Sequence, residues 1–99
     1  MRVISVSRLR DYWTVHAECA APLQAWVQVV KPVEWASFVE LRATFPSADL
    51  VGRLTVFNIK GNDFRLITRV EYAKHAVYIR SVWTHSEYDM DEWKNDPWF

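Results

Sequence analysis

Apolar residues change their spacing once along this chain, near Gly52. Before it they recur at three- and four-residue intervals; after it they alternate with polar ones. Arg2 to Val6 alternates weakly and reads as a first strand. From Ser7 the period turns helical, with Leu9, Trp13 and His16 or Ala17 on one stripe and Ser7 as N-cap. A second helix opens at Pro22, a residue suited to a first turn, and turns Leu23, Trp26, Val27 and Val30 inward before Lys31-Pro32 closes it. Glu34 to Thr44 predicts a third, shorter helix with Trp35, Phe38 and Leu41 on one side, and Phe45 to Asp49 a loop.

Three strands in a row follow. Leu54–Ile59 sets Phe57 and Ile59 against Leu54, Val56 and Asn58. Phe64–Tyr72 sets Phe64, Leu66 and Val70 against Arg65, Ile67, Arg69 and Glu71. Ala76–Trp83 sets Val77, Ile79 and Trp83 against Tyr78, Arg80 and Val82. Lys60-Gly61-Asn62-Asp63 is a turn, since glycine and asparagine accept positive φ, and a second turn falls near Ala73-Lys74-His75. One sheet face is thus expected to cover the helices, and the other to be semi-polar and open. The tail is expected to make a short helical turn around Tyr88 to Trp93 and to fray from Asp96 to Phe99.

With 99 residues, half of them apolar, the chain reads as one globular domain spanning 1–99. Cys19 is the single cysteine, which leaves no internal disulfide and fits a reducing cytoplasm. No apolar run approaches a membrane span, and Arg8 and Arg10 interrupt the N-terminal stretch too early for a secretory signal. The expectation is a soluble cytoplasmic protein without membrane contact. The net charge of zero hides an asymmetry. Residues 53–85 carry Arg53, Lys60, Arg65, Arg69, Lys74 and Arg80 against Asp63 and Glu71, while residues 86–99 are acidic. A polyanion can be held on such strands, though charge alone favours an ordinary solvated sheet face.

The candidate chemistry is RNA cleavage without metal. The 2′-hydroxyl must lose a proton, the phosphate must be clamped and neutralised, and the 5′-oxygen must gain a proton. Arginine suits the clamp because its planar fork binds phosphate and stays charged. Arg65 and Arg69 share one strand face at the period of two, and Arg80 has the same outward parity on the next strand. Lys60 beside the turn can neutralise charge, while Asn58 and Asn62 can hold a base edge or a phosphate oxygen. His85 is the natural proton carrier, since an unperturbed imidazole titrates near pH ~6.5. Tyr88 can stack on a base or donate its hydroxyl. Each has a plainer reading: a lone histidine at a strand end is more often a surface or cap residue. His16, His75 and His85 lack zinc spacing, and no Gly-rich phosphate loop or serine nucleophile elbow occurs, so no cofactor or metal is expected.

At these residues the chain resembles the HigB-type toxins of type II toxin–antitoxin systems, within the RelE-like superfamily. The motifs are Phe57-Asn58-Ile59-Lys60-Gly61-Asn62, Phe64-Arg65-Leu66-Ile67, Val77-Tyr78-Ile79-Arg80 and Thr84-His85-Ser86-Glu87-Tyr88-Asp89, with Ala21 to Trp26 and Phe45 to Ala48 upstream. The resemblance implies an α+β, RelE-like fold with N-terminal helices on one face of a small, mainly antiparallel twisted sheet. It implies a ribosome-dependent, metal-independent endoribonuclease, an mRNA interferase that inhibits translation. It also implies a HigA-type helix-turn-helix antitoxin as partner, with operator DNA reached only through that antitoxin. Arg65 resembles the phosphate-binding arginine of the superfamily, and Tyr88 its C-terminal tyrosine. Asn58 and Lys60 fall where RelE-like enzymes carry lysines, so Asn58 is a departure; His85 falls where RelE has an arginine. The alternative is a non-enzymatic toxin-like module that only binds RNA or protein.

Overall fold

The change of period after Gly52 marks the passage from helices to sheet. The computed structural model describes residues 1–99. Strand β1 (Arg2–Ile4) leads into α1 (Val6–Val15), a 3-10 turn (Ala17–Cys19), α2 (Ala20–Val30) and α3 (Phe38–Thr44). Then come β2 (Asp49–Val51), β3 (Leu54–Ile59), β4 (Phe64–Glu71), a 3-10 turn (Tyr72–Lys74), β5 (Ala76–Thr84), α4 (His85–Asp89) and a last 3-10 turn (Glu92–Asn95). The sheet order is β1-β5-β4-β3-β2, with β1 parallel to β5 and every other pair antiparallel. The α+β architecture expected from the sequence is the one observed.

Local chemistry explains where the elements begin. α1 starts directly after Ser5, whose φ of 71° turns the chain out of β1, so Ser7 lies inside the first turn and does not cap it. α3 begins at Phe38 and not at Glu34, because the Ser37 hydroxyl accepts the Glu40 backbone N–H at 3.4 Å. Trp35 lies before that helix, buried, with its indole N–H donating to Thr44 Oγ1 at 3.1 Å. Asp49–Val51, of which the sequence pattern assigns only Asp49, to a loop, pairs with β3 as an edge strand. In the turn after β3, Lys60 and Gly61 both adopt positive φ, at 53° and 62°.

The helix-side core takes Leu9, Leu23, Trp26, Val30 and Leu41 from the helices and Phe57, Leu66, Val77 and Ile79 from the sheet. The opposite face is not open. Leu54, Val56 and Ile67 are buried there beneath Trp93, with Trp83, Tyr88, Trp98 and Phe99 packed around them. The C-terminal segment folds back as a cover because it is rich in aromatics and the strands beneath it are apolar on both faces.

Alternation fails once, and the reason is visible in the ladder. Ile67 pairs with Ser81 but Thr68 pairs with Ile79, which leaves Arg80 as an extra residue in β5. This β-bulge reverses the facing of everything after it. Val82 therefore packs with the helix-side core and Trp83 with the opposite cluster, the reverse of the period-two reading.

The expected fraying at the C-terminus is also replaced by order. Asp96 accepts from Arg80 Nε and Nη2, both at 2.9 Å, and from the Trp98 backbone N–H at 2.8 Å. Burial by itself raises the Asp96 pKa, but the Arg80 and Trp98 hydrogen bonds and the charges of Arg80 and Arg8 together hold it below the usual carboxylate value. A carboxylate depressed in the folded state stabilises above its unfolded pKa, and the contribution disappears as pH falls through the folded pKa. Asp96→Asn is expected to lower stability by about 1.5–3 kcal/mol at neutral pH. The difference from the unaltered chain should vanish below the ordinary carboxylate range, as urea melts from neutral to strongly acid pH will show.

Candidate functional site

A row of paired residues crosses three strands at the end of the sheet where β3 turns into β4: Asn58 opposite Arg65, and Arg65 opposite Trp83. Cross-strand partners share a face, so these side chains lie together on the side covered by the C-terminal segment. The Trp83 position depends on the bulge at Arg80.

α4 supplies the other half. Thr84 Oγ1 accepts the Glu87 backbone N–H at 3.2 Å, and Glu87 Oε1 accepts the Thr84 N–H at 2.9 Å. This capping box bends the chain out of β5 and begins a helix at His85. The T-x-x-E spacing is present in the sequence, and the helix it caps begins earlier than the turn expected around Tyr88 to Trp93. The His85 backbone N–H then donates to the Asp63 carbonyl at 2.9 Å, which clips α4 onto the β3–β4 turn.

Asn62 is the point where the site converges. Arg65 Nη1 donates to the Asn62 carbonyl at 2.9 Å and to the Phe64 carbonyl at 3.2 Å, and Nη2 donates to Asn62 Oδ1 at 2.8 Å. His85 Nδ1 lies 3.2 Å from the same Asn62 carbonyl, and Nε2 lies 3.2 Å from Asp89 Oδ2. Both imidazole nitrogens therefore face oxygen acceptors. A doubly protonated ring satisfies both and a neutral ring only one. Asp89 lies one helical turn beyond His85, at the i, i+4 spacing that brings the two side chains together.

Arg65 is only 9% exposed, with its guanidinium 5.5 Å from the Tyr88 ring centroid. With three N–H groups spent on the turn, it keeps only Nε–H and one Nη2–H for other partners. An exposed bidentate clamp at Arg65, as the sequence suggested, is not what the structure contains. The side chain is a tether for the turn, with its charge just below the surface. Tyr88 stacks on Trp93 at 5.0 Å with an 11° interplanar angle. Its phenol pKa is raised, by burial first and then by the charge of Asp49, against the opposing charge of Arg65. At neutral pH the hydroxyl is a donor.

The remaining basic residues divide. Lys60 is in the same turn as Asn62, half exposed, with Nζ 3.8 Å from Asp63. Arg80 is committed to Asp96 and lies 3.9 Å over the Trp98 ring. Arg69 pairs with Glu71 at 2.9 Å, toward the far end of β4. The structure thus joins Asn58, Lys60, Asn62, Arg65, His85 and Tyr88 in one neighbourhood and does not bring Arg69 and Arg80 into it.

With this geometry in place, likeness to known proteins becomes informative. A family model described as HigB_toxin, RelE-like toxic component of a toxin–antitoxin system, matches residues 19–91. The mRNA interferase toxin HigB of Escherichia coli (strain K12) is 30% identical over 93 residues, covering 91% of this chain and 89% of that protein. The mRNA interferase HigB of Shigella flexneri matches with the same identity and coverage. The mRNA interferase HigB of Escherichia coli O6:H1 is 23% identical over 92 residues, 90% of this chain and 89% of that protein. No helix is long and apolar enough to cross a membrane.

Proposed function

The chain belongs to the HigB family of RelE-like toxic components of toxin–antitoxin systems, and from that premise we propose that it is an endoribonuclease that cuts mRNA on the translating ribosome and so arrests translation. Its neutralising partner is a HigA-type helix-turn-helix antitoxin, through which the pair reaches operator DNA, and it acts in the cytoplasm. The observation that carries this reading is the meeting of Arg65 and His85 on Asn62.

The roles follow from what each side chain has left to offer. His85 donates a proton to the departing 5′-oxygen, which takes the place of the exposed Asp89 carboxylate at Nε2, while the attacking 2′-hydroxyl releases its proton to solvent water. Lys60 neutralises charge growing on the phosphate as a mobile ammonium. Tyr88 and Asn58 position the nucleotide, and Asn62 orients His85. Arg65 contributes its buried charge and its two remaining N–H groups.

The test is chemical. Purified protein added to translating ribosomes is expected to cut the message and leave 2′,3′-cyclic phosphate ends, the product of internal attack by the 2′-hydroxyl. Mapped ends bearing a free 3′-hydroxyl, or no cuts at all, overturn the assignment. One feature favours a non-enzymatic binding module instead: the neighbourhood of His85 also holds Asp63, Glu87 and Asp89, an acidic surround for a polyanion. That reading predicts harmless expression in a host lacking the antitoxin.

A further inference from the structure

Toward the other end of β4, on the same face as Arg65, lies a cleft of about 280 Å3 lined by Arg53, Arg69, Glu71, Lys74, Tyr78 and Trp98. Arg69 lies four positions beyond Arg65 along the strand, roughly 13 Å at ~3.3 Å per residue. Three cations face one carboxylate, in contrast with the acidic surround of His85.

The two arginines are held in the same way. Arg53 uses Nε to donate to the Phe99 carbonyl at 3.2 Å, and Arg69 uses Nε to donate to Glu71 Oε1 at 2.9 Å. Neither makes a protein hydrogen bond through its Nη forks, whereas the forks of Arg65 and Arg80 are engaged. Lys74 has no acidic partner. Trp98, held under Arg80 at 3.9 Å and edge-on to Tyr78 at 5.6 Å, supplies aromatic surface to the wall. Guanidinium groups fixed at Nε with their planar forks unspent are preorganised for a tetrahedral oxyanion.

We infer that this cleft is a second RNA subsite, which takes one phosphate of the strand on the forks of Arg53 and Arg69 and on Lys74, with the attached base against Trp98. The polymer is identified by the nuclease reading above; the phosphate-and-ring chemistry comes from the cleft. A carboxylate side chain of an acidic protein could occupy the forks but gives the aromatic wall nothing to stack. The site lets a toxin whose reaction end is acidic hold its substrate from a distance along the sheet.

The experiment uses the full chain carrying His85→Ala, so that RNA stays intact, and a short fluorescein-labelled single-stranded RNA followed by anisotropy between about 50 and 200 mM salt. Adding Arg53→Gln and Lys74→Gln, both at exposed positions, is expected to weaken binding about tenfold at the low-salt end. It should flatten the slope of log K against log salt by up to about 0.7, the value for one single-strand phosphate no longer neutralised. Arg53→Lys keeps the slope while losing part of the affinity. An unchanged affinity and slope overturn the subsite, as does an absence of RNA binding by the His85→Ala chain itself. Weakened capture of the antitoxin with RNA binding intact assigns the cleft to protein and also overturns it. In the His85-intact chain the same pair should raise KM for mRNA and leave kcat and the cyclic phosphate ends as they were. Failure of the subsite is thereby separated from failure of the nuclease reading.

Discussion

His85→Ala is expected to reduce mRNA cleavage by a factor of about 10²–10⁴, the usual contribution of a positioned proton donor, and to lift growth arrest in a host without antitoxin. The expectation rests on the double engagement of the ring by Asn62 and Asp89, which fixes its plane and supplies acceptors for two protons. His85 is at the first position of α4 and its side chain is half exposed, so the substitution removes no core contact. A melt of the variant should stay within about 0.5 kcal/mol of the parent. Full toxicity in the alanine variant would discard His85 as the acid, and would move attention to Tyr88, whose phenol remains protonated at neutral pH for the reasons of burial and neighbouring charge given above. His85→Gln adds a second reading, because an amide can restore hydrogen bonding but cannot carry the proton. It should remain inactive even if the local structure is preserved.

Trp93→Ala carries the largest expected effect on stability, a loss of about 3–5 kcal/mol. The indole is 2% exposed, lies over Leu54, Val56 and Ile67, stacks on Tyr88 and meets Phe99 edge-on at 5.5 Å. Its N–H donates to the Tyr88 carbonyl at 3.2 Å, so the same side chain holds α4 in place. For a domain of this size the melting temperature should fall by roughly 12 °C or more, at ~4–8 °C per kcal/mol. If that sheet face were open to solvent, as alternation alone suggests, the change would be within a few degrees. Cleavage should decline with stability, since Tyr88 loses its stacking partner. Trp98→Ala, a partly exposed neighbour, provides a milder comparison in the same segment.

The two predictions fall on opposite sides of what can be read from residues. His85 stands out in the sequence because an imidazole beside a basic strand is a recognisable proton carrier, and the motif around it resembles a family's. Trp93 does not stand out, because a tryptophan near a polar C-terminus gives no sign of what it covers. Arg65, Arg69 and Arg80 look equivalent by parity, yet one is tethered to Asn62, one is half-committed to Glu71 and one is consumed by Asp96. The difference is made by acceptors that parity does not reveal, sixteen residues away in the last case. The α4 start was legible in Thr84-His85-Ser86-Glu87, a spacing that encodes its own cap.

From its sequence alone this protein had its helices, its three consecutive strands, the tight turn at Lys60 to Asp63 and its family likeness. Those follow from local rules: the period of apolar positions, the φ freedom of glycine and asparagine, and short motifs read in order. Only the tertiary structure decided that both sheet faces are covered, that the Arg80 bulge exchanges the places of Val82 and Trp83, and which guanidinium groups remain available to a phosphate. A bulge exists only between two paired strands, and the free valence of a side chain depends on partners brought from far along the chain. Such properties belong to the assembled fold and have no local spelling.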